Sequence, residues 1–264
     1  MKPILAVKHL CVSFSRCEPG QGTLTPVADL SLTVEPGQVA AVVGNSGSGK
    51  SLLAHAILGV LPPNAQVSGQ ILYDGAPLTA RRAEALRGRE LALIPQGVTY
   101  LDPMLRVGPQ IRRGRRDAAS RRRCREALER YGLGPETEEL YPFQLSGGMA
   151  RRVLIATAVA DGPRLIVADE PTPGLDLRTA GRVLGHFREL AGQGAGVLFI
   201  THDLRLALSV ADKLVVLRDG RTVEELTAAQ FQSGEGGPYA RALWRAMPEN
   251  EFRASGHTQA TQHP

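Results

Sequence analysis

Short, wholly apolar segments recur along this chain and are separated by stretches with a helical pattern. The apolar segments are residues 39–43, 91–94, 165–168, 197–200 and 214–217. Runs of this kind are typical of strands that are buried on both faces of a parallel sheet. Helical patterns follow at residues 52–61, 179–191 and 204–210. Strands that alternate with helices predict an α/β domain whose mostly parallel sheet is covered on both faces.

The N-terminal part of the chain predicts further strands. They are expected at residues 4–14, 30–34 and 69–75, where apolar residues alternate loosely or form short runs. The segment 15–25 contains glycine and proline and therefore predicts a loop.

A long helical stretch interrupts the α/β order. Residues 109–160 are largely helical in pattern and rich in arginine. They predict an inserted helical subdomain at about residues 105–160. We expect one domain over residues 1–235 and a short C-terminal extension over residues 236–264, whose polar end is frayed.

The composition is that of an ordinary globular protein, with 43% hydrophobic and 22% charged residues among 264. No run approaches the roughly 18 apolar residues of a membrane span, and the start of the chain lacks the apolar core of a signal peptide. Cys11, Cys17 and Cys124 form no C-x-x-C pair and predict neither a disulfide framework nor a metal cluster. We therefore expect a cytoplasmic protein that reaches a membrane only through a partner.

Positive charge is concentrated in one segment. Residues 106–130 hold ten arginines and three acidic residues, so this segment has a net charge of +7. The whole chain has a net charge of +5, so the remaining residues sum to −2. Such local basicity argues against a general nucleic-acid-binding surface, and we expect no nucleic-acid partner. Two interpretations stay open: a solvated helix face, or a contact with acidic lipid headgroups or a protein partner.

A glycine-rich loop follows the buried strand at residues 39–43. It fits the pattern G-x-x-x-x-G-K-[ST] with Gly44, Asn45, Ser46, Gly47, Ser48, Gly49, Lys50 and Ser51, and Leu52 follows. Glycines let successive backbone N–H groups converge on one anion, and the next helix adds its N-terminal dipole. We expect Lys50 to reach the β- and γ-phosphates of a bound nucleotide and Ser51 to coordinate Mg²⁺. The alternative, a glycine-rich turn with a surface lysine, does not account for the strand–loop–helix context.

Two carboxylates, Asp169 and Glu170, end the apolar strand at residues 165–168. Neighbouring strand residues point in opposite directions, so these side chains cannot share one role. We expect Asp169 to hold Mg²⁺ through water, in the Walker B manner. The alternative is a pair of carboxylates that caps a strand-to-loop turn.

A second glycine motif lies about 100 residues after the first. Ser146, Gly147 and Gly148 precede a helical run, so a hydroxyl and backbone N–H groups are offered at a helix N-terminus, which predicts a second anion site. One chain does not need two such sites for one nucleotide, whereas two chains packed head to tail would use both. An N-capped helix with a glycine turn is the alternative.

These motifs stand in the order of the ATP-binding subunits of ABC transporters, which the chain resembles over roughly residues 4–250. Residues 145–149, Leu-Ser-Gly-Gly-Met, resemble the signature of that family, which binds the γ-phosphate of an ATP held by another nucleotide-binding domain. The resemblance implies a P-loop NTPase (RecA-like) core, an N-terminal antiparallel β part and the inserted helical subdomain. It also implies ATP hydrolysis, with ATP and Mg²⁺ bound.

The resemblance implies roles for single residues. Glu170 matches the base that orients and activates the attacking water, and positioned bases contribute roughly 10²–10⁴-fold in rate. Gln96 matches the glutamine that touches the metal and the water and links the site to the membrane subunit. His202 matches the switch histidine at the γ-phosphate, and Asp176 falls in the D-loop, although the residues before Leu175 depart from the usual pattern. Phe14 is the candidate for stacking on adenine, with a core or edge aromatic as the alternative.

Further stretches resemble the ATP-binding subunits of oligopeptide, dipeptide and nickel importers. They are residues 44–52, residues 141–149 (Tyr-Pro-Phe-Gln-Leu-Ser-Gly-Gly-Met) and residues 238–243 (Pro-Tyr-Ala-Arg-Ala-Leu). The short tail that ends with residues 244–250 (Trp-Arg-Ala-Met-Pro-Glu-Asn) is most similar to nickel or metallophore (metal–opine) importers. The loop at residues 97–103, which faces the membrane subunit in that family, departs by being one residue shorter.

That group implies partners: a second ATPase subunit, identical or not, two membrane permease subunits and, indirectly, an extracytoplasmic solute-binding protein. The implied location is the cytoplasmic face of the inner membrane, as a peripheral protein. The chain does not name the solute, so nickel, a metal chelate and a peptide stay open. The alternatives are the ATPase of another ABC transporter, which would not explain residues 141–149 and 238–243, and a soluble non-transport ABC ATPase, which would need coiled-coil insertions or tandem domains.

Overall fold

A mixed sheet runs through the computed structural model of the chain, which describes residues 2–15, 23–45 and 47–247. The strands of these residues are β1 (Leu5–Ser15), β2 (Thr23–Val34), β3 (Val39–Gly44), β4 (Ala65–Tyr73), β5 (Ala76–Pro77), β6 (Leu91–Ile94), β7 (Leu165–Asp169), β8 (Gly196–Ile200), β9 (Lys213–Arg218) and β10 (Arg221–Thr227). Across the sheet their order is β5-β4-β1-β2-β10-β9-β3-β8-β7-β6. Ser46 and the polar tail, for which predictions were made, lie outside the described residues.

The parallel half of the sheet consists of β9, β3, β8, β7 and β6. Every residue of β7 and β8 is buried, which accounts for the apolar runs in the sequence. Parallel strands end at the same edge of a sheet, so the loops after β3, β6, β7 and β8 meet there. The predicted parallel α/β core is confirmed.

In the antiparallel half of the sheet, β1 pairs with β2 and with β4. Strand β10 lies between β2 and β9 and pairs with β9 in antiparallel orientation. Strand β2 begins at Thr23, well before the predicted strand at residues 30–34. The loop prediction is therefore wrong for residues 23–25, because Thr23 and Leu24 pair with Ser15 and Phe14 in the hairpin. The first residues of β2 are exposed, so they carry little of the apolar alternation that identifies a strand.

The described helices cover both faces of the parallel strands. They are α1 (Lys50–Leu58), α2 (Ala80–Leu86), α3 (Val107–Ile111), α4 (Ala118–Arg130), α5 (Gly147–Val159), α6 (Leu177–Gly192), α7 (Leu204–Val210), α8 (Ala228–Ser233) and α9 (Pro238–Arg245). Helices α3 to α5 occupy the stretch between β6 and β7 where a helical subdomain was predicted. Helix α1 ends earlier than predicted, because Gly59 takes a left-handed conformation and caps it.

Two apolar clusters form the core, one on each face of the sheet. Successive residues of β3 alternate between them: Ala41 and Val43 join one cluster, and Ala40 and Val42 join the other. Each fully buried aliphatic side chain stabilises the fold by about 1.5–3 kcal/mol. Ala240 of α9 belongs to the first cluster, so the helix of the C-terminal extension packs on the main core.

Ion pairs neutralise much of the basic segment. Asp161, whose side chain is 15% exposed, lies 2.5 Å from Arg115, 3.4 Å from Arg123 and 3.6 Å from Arg113. Glu138 pairs with two more arginines of the segment. Asp161 and Glu138 lie outside residues 106–130. A charge count restricted to that segment therefore overstates the positive charge that remains without an acidic partner. These ion pairs connect parts of the helical subdomain to one another. Neither the interpretation as a solvated helix face nor that as a contact with lipid or a protein partner included this role.

We expect the substitution Asp161→Asn to lower the free energy of unfolding by about 1–3 kcal/mol, because three guanidinium groups lose a shared charged partner. Urea denaturation of the full chain measures the change. The control Glu126→Gln removes only an exposed i,i+4 pair with Arg122 and should cost under about 0.5 kcal/mol. Equal effects of the two substitutions would show that Asp161 is no centre of stability.

Candidate nucleotide-binding site

The glycine-rich loop is packed too tightly for side chains at two positions. A Cβ atom on Gly44, at the end of β3, would lie 2.3 Å from the carbonyl oxygen of Leu217. Gly49 has a φ of +89°, and a Cβ there would lie 2.8 Å from the carbonyl oxygen of Pro26. Glycine therefore lets the loop turn between β3 and α1 while it lies against the backbones of β9 and β2.

Lys50 lies at the first position of α1 and folds back over this loop. Its Nζ donates to the carbonyl oxygens of Gly44 and Asn45, both at 2.8 Å, and to Ser48 Oγ at 3.4 Å. Burial lowers the pKa of Lys50, and the nearby charges of Glu170 and Asp169 oppose that shift. The loop therefore surrounds the Lys50 amine, which donates its hydrogen bonds to two backbone oxygens and one hydroxyl group of the loop.

Asp169 ends β7 and is buried beside Ser51. Burial raises the pKa of Asp169, while a hydrogen bond with Ser51 lowers it and the charge of Glu170 raises it further. Within the described residues, Asp169 Oδ1 is buried and has no hydrogen-bond partner. A buried carboxylate oxygen beside a hydroxyl fits Mg²⁺, which prefers oxygen ligands.

Glu170 follows Asp169 in a left-handed conformation, with a φ of +48°. Its backbone N–H donates to the carbonyl oxygen of Ile200 at 3.0 Å, so β8 holds this strained residue in place. Its Oε1 accepts from the backbone N–H of His202 at 3.0 Å and from His202 Nδ1 at 2.7 Å. Glu170 is buried, whereas the His202 side chain is 68% exposed. The two predicted residues therefore form a contacting pair.

One cleft of about 580 Å³ collects the residues that end these strands. Its lining consists of Pro26, Gly47, Gly49, Lys50, Ser51, Leu52, Gln96, Asp169, Glu170 and His202. Gly47 and Gly49 to Leu52 of the predicted phosphate-binding residues thus share one site with the two carboxylates, Gln96 and His202, whereas Asn45 and Ser48 line a second hollow that also includes Gly47. Pro26 was not predicted, because residues 26–29 lie between the predicted loop at residues 15–25 and the predicted strand at residues 30–34 and were assigned to neither.

The signature and the D-loop segment lie next to each other and are not part of this lining. Ser146 caps α5 by accepting from the N–H of Met149 at 3.2 Å, and a Cβ on Gly147 would meet nothing within 4 Å. A Cβ on Gly148 would lie 3.6 Å from the carbonyl oxygen of Gly174. Asp176 caps α6 in the same manner. The open space around Gly147 leaves its backbone accessible from outside the chain.

Phe14 does not join the described lining of the cleft. It pairs in register with Leu24 and Ala65 and packs against an apolar cluster. The adenine-stacking role of Phe14 stays a prediction.

Arg151 is a residue whose importance the sequence did not reveal. Its guanidinium is buried and donates to the carbonyl oxygen of Pro95 at 2.7 Å and to that of Gln96. In the sequence it is one of two arginines early in the helix after the signature. A side chain that reaches 55 residues back to another strand leaves no local pattern.

Residues 27–173 match the ABC transporter family, and the chain belongs to it. The chain is 37% identical to the peptidoglycan transport ATP-binding protein YejF of Agrobacterium fabrum, over 95% of this chain and 48% of YejF. It is 35% identical to the oligopeptide transport ATP-binding protein OppD of Lactococcus lactis subsp. cremoris, over 94% of this chain and 77% of OppD. The chain thus spans about half the length of YejF and about three quarters of OppD.

Among solved structures, the ATP-binding cassette MJ0796 has the same fold, with a TM-score of 0.75 and 25% identity over 85% of this chain and 98% of the cassette. That cassette is a dimer in a post-hydrolysis state, bound to ADP and Pi. The predicted fold class, a P-loop NTPase domain of the ABC type, is confirmed. The predicted resemblance is confirmed for ATP-binding subunits of ABC transporters, with peptide-transport relatives.

The substitution Lys50→Met should weaken ATP binding by about 10- to 100-fold, because charge-assisted hydrogen bonds contribute about 1.5–3 kcal/mol. Titration with a fluorescent ATP analogue measures the dissociation constant. The control Lys213→Met removes a lysine that pairs with Glu225 away from the cleft and should leave binding unchanged. Unaltered affinity in Lys50→Met would mean that this amine does not contact the phosphates.

Proposed function

We propose that this chain is the ATP-hydrolysing subunit of an ABC importer. The observation that carries the proposal is the single cleft in which the glycine-rich loop, Lys50 and two carboxylates meet Gln96 and His202. A loop of this type provides anion binding, and the carboxylates provide metal binding and a base. Membership of the ABC transporter family supports the assignment of ATP as substrate.

The glycine-rich loop and α1 bind the phosphates in this proposal. Backbone N–H groups and the positive end of the helix dipole face the anion. The Lys50 amine exchanges its bonds to Gly44 and Asn45 for bonds to phosphate oxygens. Asp169, Ser51 and Gln96 would hold Mg²⁺, which neutralises phosphate charge when it is bound.

Glu170 is the proposed general base. A water molecule attacks the γ-phosphorus, its proton passes to the Glu170 carboxylate, and the bond to the bridging oxygen breaks to give ADP and Pi. His202 holds Glu170 Oε1 through two hydrogen bonds, which orients the carboxylate. The strained backbone at Glu170 keeps the side chain directed into the cleft.

The signature residues serve a nucleotide on another subunit in this proposal. Ser146, Gly147 and Gly148 lie outside the described lining of the chain's own cleft, yet they form a capped helix N-terminus with open space around Gly147. A second ATPase subunit, identical or not, would therefore complete the site. The dimeric state of the MJ0796 cassette supports this arrangement.

An apolar groove beside the cleft is the proposed docking place for the permease subunits. It holds about 240 Å³ and lies between β6 and α5, with Leu93, Pro95, Tyr100 and Leu154 in its walls. Four residues after Tyr100 along the chain, the side chain of Met104 is exposed. None of the described helices has the length and apolar character needed to cross a membrane. We propose a peripheral location at the cytoplasmic face, through permease subunits that receive solute from an extracytoplasmic binding protein, and the similarity to OppD supports this location.

Peptides are the solute class that the relatives favour. OppD is named for oligopeptide transport and YejF for peptidoglycan transport. The narrower hypothesis of nickel or a metal chelate stays a prediction. The ligand of a solute-binding protein encoded beside this chain would decide between them.

The substitution Glu170→Gln should leave ATP binding intact and reduce hydrolysis by roughly 10²–10⁴-fold, because the amide cannot take the proton of the water. Phosphate release measures the rate, and a fluorescent ATP analogue measures binding. In a composite site, the variant should also remain closed on ATP as a dimer. Hydrolysis at the wild-type rate would reject Glu170 as the base.

The substitutions Ser146→Ala and Gly147→Asp should impair hydrolysis at the partner's phosphate loop and spare ATP binding by this chain. The aspartate should have the larger effect, since it adds negative charge where an anion is expected to bind. Hydrolysis by the assembly and ATP binding by the isolated chain are measured side by side. Loss of this chain's own ATP binding alone would contradict a composite site.

A further inference from the structure

The Arg151 guanidinium connects two parts of the proposed machinery that lie far apart in sequence. Arg151 lies on α5, about one turn after the signature glycines. Its Nη1 donates to the Pro95 carbonyl oxygen at 2.7 Å, and its Nη2 donates to the Gln96 carbonyl oxygen. The signature helix is thus bonded directly to the backbone that carries Gln96 into the cleft.

The surroundings of Arg151 are unusual for a buried charge. The residue is 7% exposed, and within the described residues it has no ion pair within 4 Å. Its Nε is buried without a partner. Burial lowers its pKa, and the charges of Asp169 and Glu170 oppose that shift from a greater distance. A well-packed apolar side chain would avoid this desolvation penalty, so stability alone does not account for an arginine here.

The planar, forked shape of the guanidinium group explains why an arginine occupies position 151. Two N–H groups in one rigid plane can fix two successive carbonyl oxygens, which a flexible amine cannot do with the same geometry. Because Arg151 fixes the backbone at Pro95 and Gln96, the Gln96 side chain enters the cleft from a defined position. The neighbouring Arg152 donates from Nε to the Gly148 carbonyl oxygen within α5 itself, so the signature glycines belong to the same helix that carries Arg151.

We propose that Arg151 is a positioning residue that couples the signature loop to Gln96, so that contact of the signature with a second nucleotide adjusts this chain's own hydrolytic site. This proposal rests on the proposed function, since it requires Gln96 to orient water or metal and the signature to bind a partner's ATP. A small displacement of α5 would move the Pro95 and Gln96 carbonyl groups with it. Misplacement by about 1 Å can cost about 10²-fold in rate.

The test compares Arg151→Met and Arg151→Lys in the full chain within its ATP-hydrolysing assembly. Methionine fills the space without donors, and we expect kcat to fall by about 10²-fold while the affinity for a fluorescent ATP analogue stays unchanged. Lysine keeps a donor without the fork and should restore part of kcat. The control is Arg188→Met on α6. It removes an arginine that also donates to a backbone carbonyl group, that of Val210, and that pairs with Asp212 outside the described lining of the cleft, and it should keep wild-type kcat.

A double substitution separates positioning from a general packing defect. If Arg151 acts through Gln96, Arg151→Met should cost little further kcat once Gln96→Ala has been made. An equal loss in both backgrounds, or a wild-type kcat for Arg151→Met, would overturn the proposal while hydrolysis by the wild-type assembly still supports the proposed function. Absence of hydrolysis by the wild-type assembly would reject both.

Discussion

The common edge at which the parallel strands end is the constraint on which the rest of this structure depends. The pairing of β7 with β8 sets Asp169 opposite Ile200, so the residues that follow each strand are immediate neighbours. The Glu170 N–H then bonds the Ile200 carbonyl, and His202 comes within reach of the Glu170 carboxylate. A shift of register would separate these groups without changing a single residue. The chemistry of the cleft is therefore a consequence of backbone pairing in the buried sheet.

The electrostatics of the cleft follow from the same crowding. Two carboxylates, Asp169 and Glu170, are buried beside two cationic groups, Lys50 and Arg151. Burial penalises every one of these charges, and each is tolerated because opposite charges lie nearby. Burial lowers the pKa of Lys50 and raises the pKa of Asp169, and opposite charges nearby act against both shifts. A change in any one charge would alter the electrostatic environment of the other three, so the four groups form one electrostatic unit.

The sequence predicted those features that depend on neighbours in the chain. The buried strands, the glycine-rich loop and the carboxylates after β7 all rest on short patterns, and the structure places them together. Features that depend on contacts between distant segments were not predictable in the same way. The ion pairs of Asp161, the contact of His202 with Glu170 and the reach of Arg151 to Gln96 link residues 30 or more positions apart. Pro26 was missed because its approach to the glycine-rich loop is a contact between segments more than 20 residues apart.

The separation of the cleft from the signature has a consequence for symmetry. The proposed function gives this chain two unlike surfaces, one that holds a nucleotide and one that completes a neighbour's nucleotide site. Unlike surfaces that bind each other head to tail either close into a ring or extend into an open filament. A two-fold axis is the smallest closure, because it uses each surface once and leaves none unpaired. If the partner is a different chain, the axis becomes approximate, and the two nucleotides then lie in chemically distinct sites.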